Sequence, residues 1–273
     1  MTDLRLVREH SATGWTELAS RPAAARLAGH VRGYVGYRED SSVPVRRWEV
    51  PTGDIAFILS FGPRIRVLDP AAPEAVWATL GSFVATIGTS PALTEYTGAQ
   101  FGVQVNLTPI GATMLLGMPM SEFAGAAVEL TDALGRTGSR LLERLAEAPG
   151  WAARFDLLDE ALGTRLALAK SPSPLAELAW RRLVAAEGRL PIARLVEDLG
   201  CSHRHLAVKL RECTGVTPKE LARVLRARRA IRLLGSGIAF AAVAHDCGFS
   251  DQAHLNRDLR RITGATPSAW AAG

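Results

Sequence analysis

Gly200-Cys201-Ser202-His203-Arg204-His205-Leu206, running on through Leu210-Arg211 to Thr214-Gly215-Val216-Thr217-Pro218, returns further along as Gly248-Phe249-Ser250, Leu255, Leu259-Arg260 and Thr263-Gly264-Ala265-Thr266-Pro267. Gly200 and Ser202 match Gly248 and Ser250 at an offset of 48 residues. Leu206, Leu210, Arg211, Thr214, Gly215, Thr217 and Pro218 match at an offset of 49, so the second copy carries one extra residue between Ser250 and Leu255. Agreement of this kind over about twenty residues marks an internal repeat.

Each copy reads as helix, tight turn, helix. Ile192, Leu195, Val196 and Leu199 have the spacing of one buried helical face, which predicts a helix from Ile192 to Leu199. Gly200 stops it, because glycine just past a helix end takes the left-handed conformation that closes the last turn. Ser202 is placed to cap the next helix by accepting a backbone N–H. In that helix Leu206 and Leu210 lie one turn apart and face inward, leaving His203, Arg204, Ala207, Val208 and Arg211 on other faces. The second copy predicts a helix over Ala241–Cys247, a turn at Gly248 with Ser250 repeating Ser202, and a helix from about Asp251 to Ile262.

Between the copies, Thr217-Pro218-Lys219-Glu220 combines a cap residue, proline at the first helical position and Glu three residues after the cap. A long helix over Thr217–Leu234 follows, with Leu221, Val224, Leu225, Ile231 and Leu234 as its apolar stripe, until Gly235-Ser236-Gly237 ends it. Arg223, Arg226, Arg229 and Arg232 are expected to keep their charge in water. A helix of that span is roughly 27 Å long. Two reading helices on one DNA face must lie about 34 Å apart, and a stiff connector of this order suits that separation.

The stretch Cys247-Gly248-Phe249-Ser250-Asp251-Gln252-Ala253-His254-Leu255, continued by Thr263-Gly264-Ala265-Thr266-Pro267, resembles the signature of the AraC/XylS family of bacterial transcription regulators. The first copy resembles the family's more variable motif, and the similarity covers about a third of the chain, from near Pro174 to Gly273. The resemblance implies a seven-helix DNA-binding domain in which the second helix of each motif enters the major groove. It places base-reading positions on Arg204, Ala207 and Val208, and on Ala253, His254 and Arg257. Ala207 and Val208 depart from a hydrogen-bonding pattern and could touch a base only through an apolar contact such as a thymine methyl. Base reading is therefore expected to lean on Arg204, Gln252, His254 and Arg257, with His203 beside them. Lys209, Arg211, Arg260 and Arg261 are candidates for phosphate.

Charge supports a divided chain. Residues 175–273 hold 16 Lys and Arg against 9 Asp and Glu, whereas residues 1–174 hold 16 against 18, so the net +5 is concentrated at one end. A basic segment beside a mildly acidic one is the electrostatic footprint of a nucleic-acid module joined to something else. The expected organisation is a sensory or dimerisation domain over 1–170 and a helix-turn-helix domain over 171–273, meeting at the Pro-rich Lys170-Ser171-Pro172-Ser173-Pro174. With 48% hydrophobic and 22% charged residues the chain has a globular composition. No apolar run reaches a membrane span, the N-terminus lacks the order of a secretion signal, and Cys201, Cys213 and Cys247 form no disulfide pattern, so a cytoplasmic protein with inert thiols is expected.

The overall expectation is an α+β protein: a mixed β/α front domain, then an all-α DNA-binding domain. In the front part, Ile55 to Phe61, Ile65 to Leu68 and Val103 to Leu107 predict short strands, Thr108-Pro109 opens a helix through Leu116, and Ser139–Ala148 and Trp151–Ala169 predict longer helices. The arrangement resembles the front domains of AraC-type regulators, which implies a small, cupin-like β barrel. Trp48, Phe57, Trp77, Tyr96, Gln104 and Asn106 are candidates to line a pocket inside it, set against the ordinary reading that aromatics pack cores.

No GxSxG, Walker, GxGxxG or HExxH order is present, which argues against an enzyme. The rival reading, an enzyme fused to this DNA-binding domain, would need a reactive cysteine in the front part, and all three cysteines lie in the repeat. A zinc site from Cys201, His203, His205 and Cys213 fits no common spacing, and no cofactor is expected. The expected partners are duplex DNA, a small-molecule effector, RNA polymerase if the protein activates, and a second copy if it dimerises.

Overall fold

A computed structural model describes residues 4–70, 76–123 and 127–266. The front half is built on an antiparallel sheet whose spine is two long strands, β3 (Val31–Glu49) and β8 (Ala92–Leu107). On one side of this pair lie β2 (Gly14–Pro22) and β1 (Arg5–Ser11), joined by a tight hairpin. On the other, β4 (Ile55–Ser60) pairs with the C-terminal half of β8 and β5 (Ile65–Leu68) with its N-terminal half. Short strands β6 (Ala78–Leu80), β7 (Phe83–Ala85) and β9 (Val128–Glu129) complete the sheet. Its main path runs β1-β2-β3-β8-β4-β7-β9, and no pairing joins the two ends among the described residues. The expected α+β architecture holds, with an antiparallel sheet in the front half.

Alternation decides which face of the sheet is covered. Val103, Val105 and Leu107 of β8 are buried, and their direct partners Leu59, Phe57 and Ile55 on β4 share that face. Helix α3 (Trp151–Leu168) lies against it. Tyr34 stacks on Phe155 with ring centroids 5.4 Å apart, and a Cβ on Gly36 would sit 2.3 Å from the Trp151 ring, so only glycine lets the helix approach. Asp159 ties the layers together, accepting from the Tyr34 hydroxyl at 2.8 Å, the Ala24 amide at 2.9 Å and Arg21 Nη2 at 2.7 Å. Burial, and then the bond to Asp159, push the Tyr34 phenol upward, so it stays a donor.

The short helix α1 (Pro109–Leu116) matches its expected bounds, with Thr108 Oγ1 accepting from the Gly111 amide. α3 ends one residue early. Helix α2 (Leu130–Glu147) begins well before the expected Ser139, because it contains a break at Gly135, whose φ of 56° interrupts the helical periodicity a sequence window relies on.

The C-terminal part is helical: α4 (Pro174–Ala185), α5 (Ile192–Asp198), α6 (His203–Thr214), α7 (Pro218–Gly235), α8 (Phe240–Asp246) and α9 (Gln252–Thr263). The seventh helix implied by the family resemblance would fall at 267–273, outside the described residues. The hydrophobic core is continuous across both halves. Met120 of the front part is fully buried beside α6, and Arg228 of α7 donates to the Thr52 carbonyl at 3.2 Å.

Candidate nucleic-acid interface

The two helix-turn-helix units form as the repeat dictates. In the first, Gly200 takes φ 59° after α5, and Ser202 Oγ accepts from the His205 amide at 3.1 Å to cap α6. In the second, Gly248 takes φ 73° after α8. The cap of α9, however, is Asp251, whose Oδ1 accepts from the His254 amide at 2.6 Å, and not Ser250. The inserted residue lengthens the turn by one, so the position aligned with Ser202 in sequence no longer adjoins the helix. Ser250 instead bonds Asp251 at 3.2 Å and the His254 ring at 3.1 Å. The bond from His254's amide holds the Asp251 carboxyl below its usual range.

Both second helices end alike. Thr214 Oγ1 donates to the Leu210 carbonyl at 2.9 Å and Thr263 Oγ1 to the Leu259 carbonyl at 2.8 Å, each before a left-handed glycine. The connector α7 carries the expected capping box, with Thr217 and Glu220 bonded reciprocally. Burial raises the Glu220 carboxyl, but its bonds from the Thr217 amide and hydroxyl outweigh that and hold it low.

Of the α7 arginines expected in water, Arg232 is exposed, whereas Arg223, Arg226 and Arg229 are half-buried. Arg223 lies 3.6 Å from Asp258, Arg226 donates to the Gly188 carbonyl at 3.2 Å and covers the Phe249 ring, and Arg229 and Arg232 both pair with Glu187. These contacts bind α9 and the turn after α4 to the connector. A helix with a neighbour on several sides is buried on several sides, and accordingly Ala222, Ala227 and Ala230 join Leu221, Val224, Leu225 and Leu234 in the core, with Ile231 half-buried.

With Leu206 taken as the centre of the buried face, helical geometry puts Arg204, Ala207, Val208 and Arg211 within a sector about 100° wide on the opposite side. Arg204, Val208 and Arg211 are exposed there and Ala207 is half-buried, with His203 exposed at the sector's margin. Lys209 falls roughly 150° from the middle of that sector. It is half-buried, pairs with Glu212 at 2.9 Å and adjoins α1, so the structure separates it from the other phosphate candidates.

Around Leu255 the same construction groups Ala253, Asn256, Arg257 and Arg260, with Gln252 and Arg261 at the margins; all but Asn256 are exposed. Asn256 is the residue that sequence reading passed over. Its signal was available, since the 49-residue offset sets it opposite Ala207. The His254 ring is occupied within its own turn, between Ser250, the Phe249 ring edge and Asp258 at 3.7 Å. Arg204, Arg211, Arg257, Arg260 and Arg261 make no ion pair among the described residues, so five guanidinium groups stand on the two helices uncompensated by a partner carboxylate.

The family model described as a helix-turn-helix domain matches residues 195–273. The transcriptional activator RhaR of Escherichia coli K12 is 29% identical over 101 residues, covering 37% of this chain and 36% of RhaR. Residues 195–273 form a helix-turn-helix domain similar to those of AraC-type regulators. The chain thus matches about a third of the length of its curated relatives. Among solved structures, ToxT from Vibrio cholerae is similar over 88% of this chain and 97% of its own, at 12% identity and a TM-score of 0.48. The DNA-binding domain of AdpA, solved with a target DNA, is 29% identical over 37% of this chain and 91% of its own, with a TM-score of 0.34.

Cys213 and Cys247 are buried, and burial pushes the Cys213 thiol up to about 12 and raises Cys247. No group of three or more His, Cys, Asp or Glu able to hold a metal occurs among the described residues. Likewise, no helix among them is long and apolar enough to cross a membrane.

The pocket residues expected in the front domain are not gathered at one place. Phe57 is buried on the α3 face of the sheet, whereas Gln104 and Asn106, bonded to each other at 2.7 Å, lie on the opposite face by alternation along β8. Trp48 is 53% exposed, Trp77 lies under the Arg66 guanidinium, and the Tyr96 hydroxyl donates to Glu39.

Proposed function

We propose that this protein is a sequence-specific DNA-binding transcription regulator whose front domain transmits the presence of a small molecule to the AraC-type domain. The observation that carries the reading is the pairing of two helix-turn-helix units on one 18-residue connector, each offering an exposed helical sector with unpaired arginines. Helices α6 and α9 enter successive major-groove segments. Arg204, Arg257 and Gln252 read base edges, Ala207 and Val208 meet apolar base surface, Ala253 permits close approach, and Arg211, Arg260 and Arg261 neutralise phosphate. His203 and His254 flank the contacts, His254 by ordering the turn that presents α9. RNA polymerase is a partner where the protein activates, and a second copy where the operator is a repeat. The cytoplasm is the site of action.

Selection from a random duplex library with the full chain tests this reading. Enrichment of a site with two elements about one helical turn apart is expected. A library that remains unenriched overturns it, and equal enrichment with Arg257→Ala removes that residue from base reading.

A further inference from the structure

A cleft of about 450 Å³ lies where three segments meet: the end of α1 with Thr113, Met114, Met118 and Pro119, the linker from Leu168 to Ser173, and the α6 side chains Lys209, Glu212 and Cys213. That volume falls within the range of roughly 300–1,000 Å³ typical of small-molecule sites. Met114, Met118, Pro119 and Pro172 give it an apolar wall. Its charge is unbalanced: Lys209 is matched by Glu212, while Lys170 makes no ion pair among the described residues. Helix α4 starts at the rim, after Ser173. Methionine walls adapt readily to irregular apolar shapes.

We infer that this cleft binds a small amphipathic anion, its apolar body against the two methionines and its acidic group at Lys170. The site differs from the candidate pocket of the sheet interior, and it joins the two halves of the protein, because one wall belongs to the front domain and another to α6. A molecule seated there touches the first helix-turn-helix unit on the side opposite the sector proposed for DNA. The inference deepens the effector part of the proposed function and rests on it, but its test contains no DNA, so its failure would leave the DNA-binding reading untouched.

The full chain is titrated with 1-anilinonaphthalene-8-sulfonate, whose fluorescence rises in an apolar site, and with N-phenyl-1-naphthylamine, the same ring system without the sulfonate. One saturable site for the sulfonate is expected. Lys170→Glu should weaken the sulfonate by about tenfold and leave the neutral dye unchanged. Met114→Trp, filling the cleft, should abolish both while the melting temperature is kept. If Met114→Trp lowers the melting temperature, the two dyes on Lys170→Glu, a surface change, still decide. A wild-type protein with no saturable site, a folded Met114→Trp that binds as before, or a Lys170→Glu that leaves the sulfonate unaffected overturns the inference.

Discussion

Thr113 in α1 donates its hydroxyl to the backbone carbonyl of Cys213 in α6 at 3.1 Å, a bond across the sequence boundary between the front domain and the first helix-turn-helix unit. That carbonyl lies in the last turn of α6, where helix carbonyls lack intrahelical partners. The front domain thus completes a helix it does not contain.

A fragment spanning 171–273 should fold and bind DNA, because its helices have their own core around α7, but it should be less stable than the same helices within the full chain. Losing the cover that Thr113 gives Cys213 and Met120 gives Gly215 costs about 2 kcal/mol. Urea denaturation followed by circular dichroism measures this. A fragment that never folds refutes a boundary near 170.

Arg257→Ala and Arg260→Ala should fail in different ways. If Arg257 reads a base, its loss costs about 1–3 kcal/mol at the selected site and relaxes preference at one or two base pairs. Arg260→Ala should weaken binding to all sequences alike and lower the salt slope by about one unit. Competition binding at several salt concentrations separates them, and equal losses on selected and random DNA for Arg257→Ala would remove it from base reading.

Lys209 supplies a contrast within one helix. Because it points to the front domain and is paired with Glu212, Lys209→Ala should leave the salt slope of DNA binding unchanged, whereas Arg211→Ala, two residues on, should lower it by about one unit. A slope that falls for Lys209→Ala would mean that the lysine reaches phosphate.

The caps of the two reading helices should respond differently to acid. Asp251 has a folded-state carboxyl held below its ordinary value by the His254 amide, so the stability it contributes is complete above the unfolded-state value and is lost as pH falls through the lower folded one. The Ser202 cap does not titrate in that range. Amide exchange, corrected for its intrinsic pH dependence, should therefore show His254 losing protection on acidification below about pH 4 while His205 keeps its own. Asp251→Asn, which still accepts the bond, should abolish the difference. Parallel behaviour of the two amides in the unmodified protein would show that Asp251's charge contributes nothing to the cap.

Much of the C-terminal domain was legible because its determinants are local. Gly200, Gly248, Ser202 and the Thr217–Glu220 box act within a turn of the residues they order, and the spacing of Leu206 and Leu210 sets the buried face whatever lies beyond it. The bounds of α1 followed from Thr108-Pro109 for the same reason. Chain distance limited the rest. The polar strands β1 and β2 bury little and show weak alternation, so they form through pairing with β3 and not through their own composition. By residue type Phe57 and Asn106 suit one pocket, but pairing sets them on opposite faces, a matter of register that no single segment contains. Lys209 reads as one more cation on a basic helix until α1 and Glu212 take it, and Arg223 and Arg229 read as solvent-facing until Asp258 of α9 and Glu187, in the turn after α4, pair with them. The sequence alone determined the repeat, its turns and the residue types on the reading helices, because those depend on neighbours within a few positions. Which charges remain free for a partner was decided only by the tertiary structure, because a charge is spent on whichever group the fold brings near it.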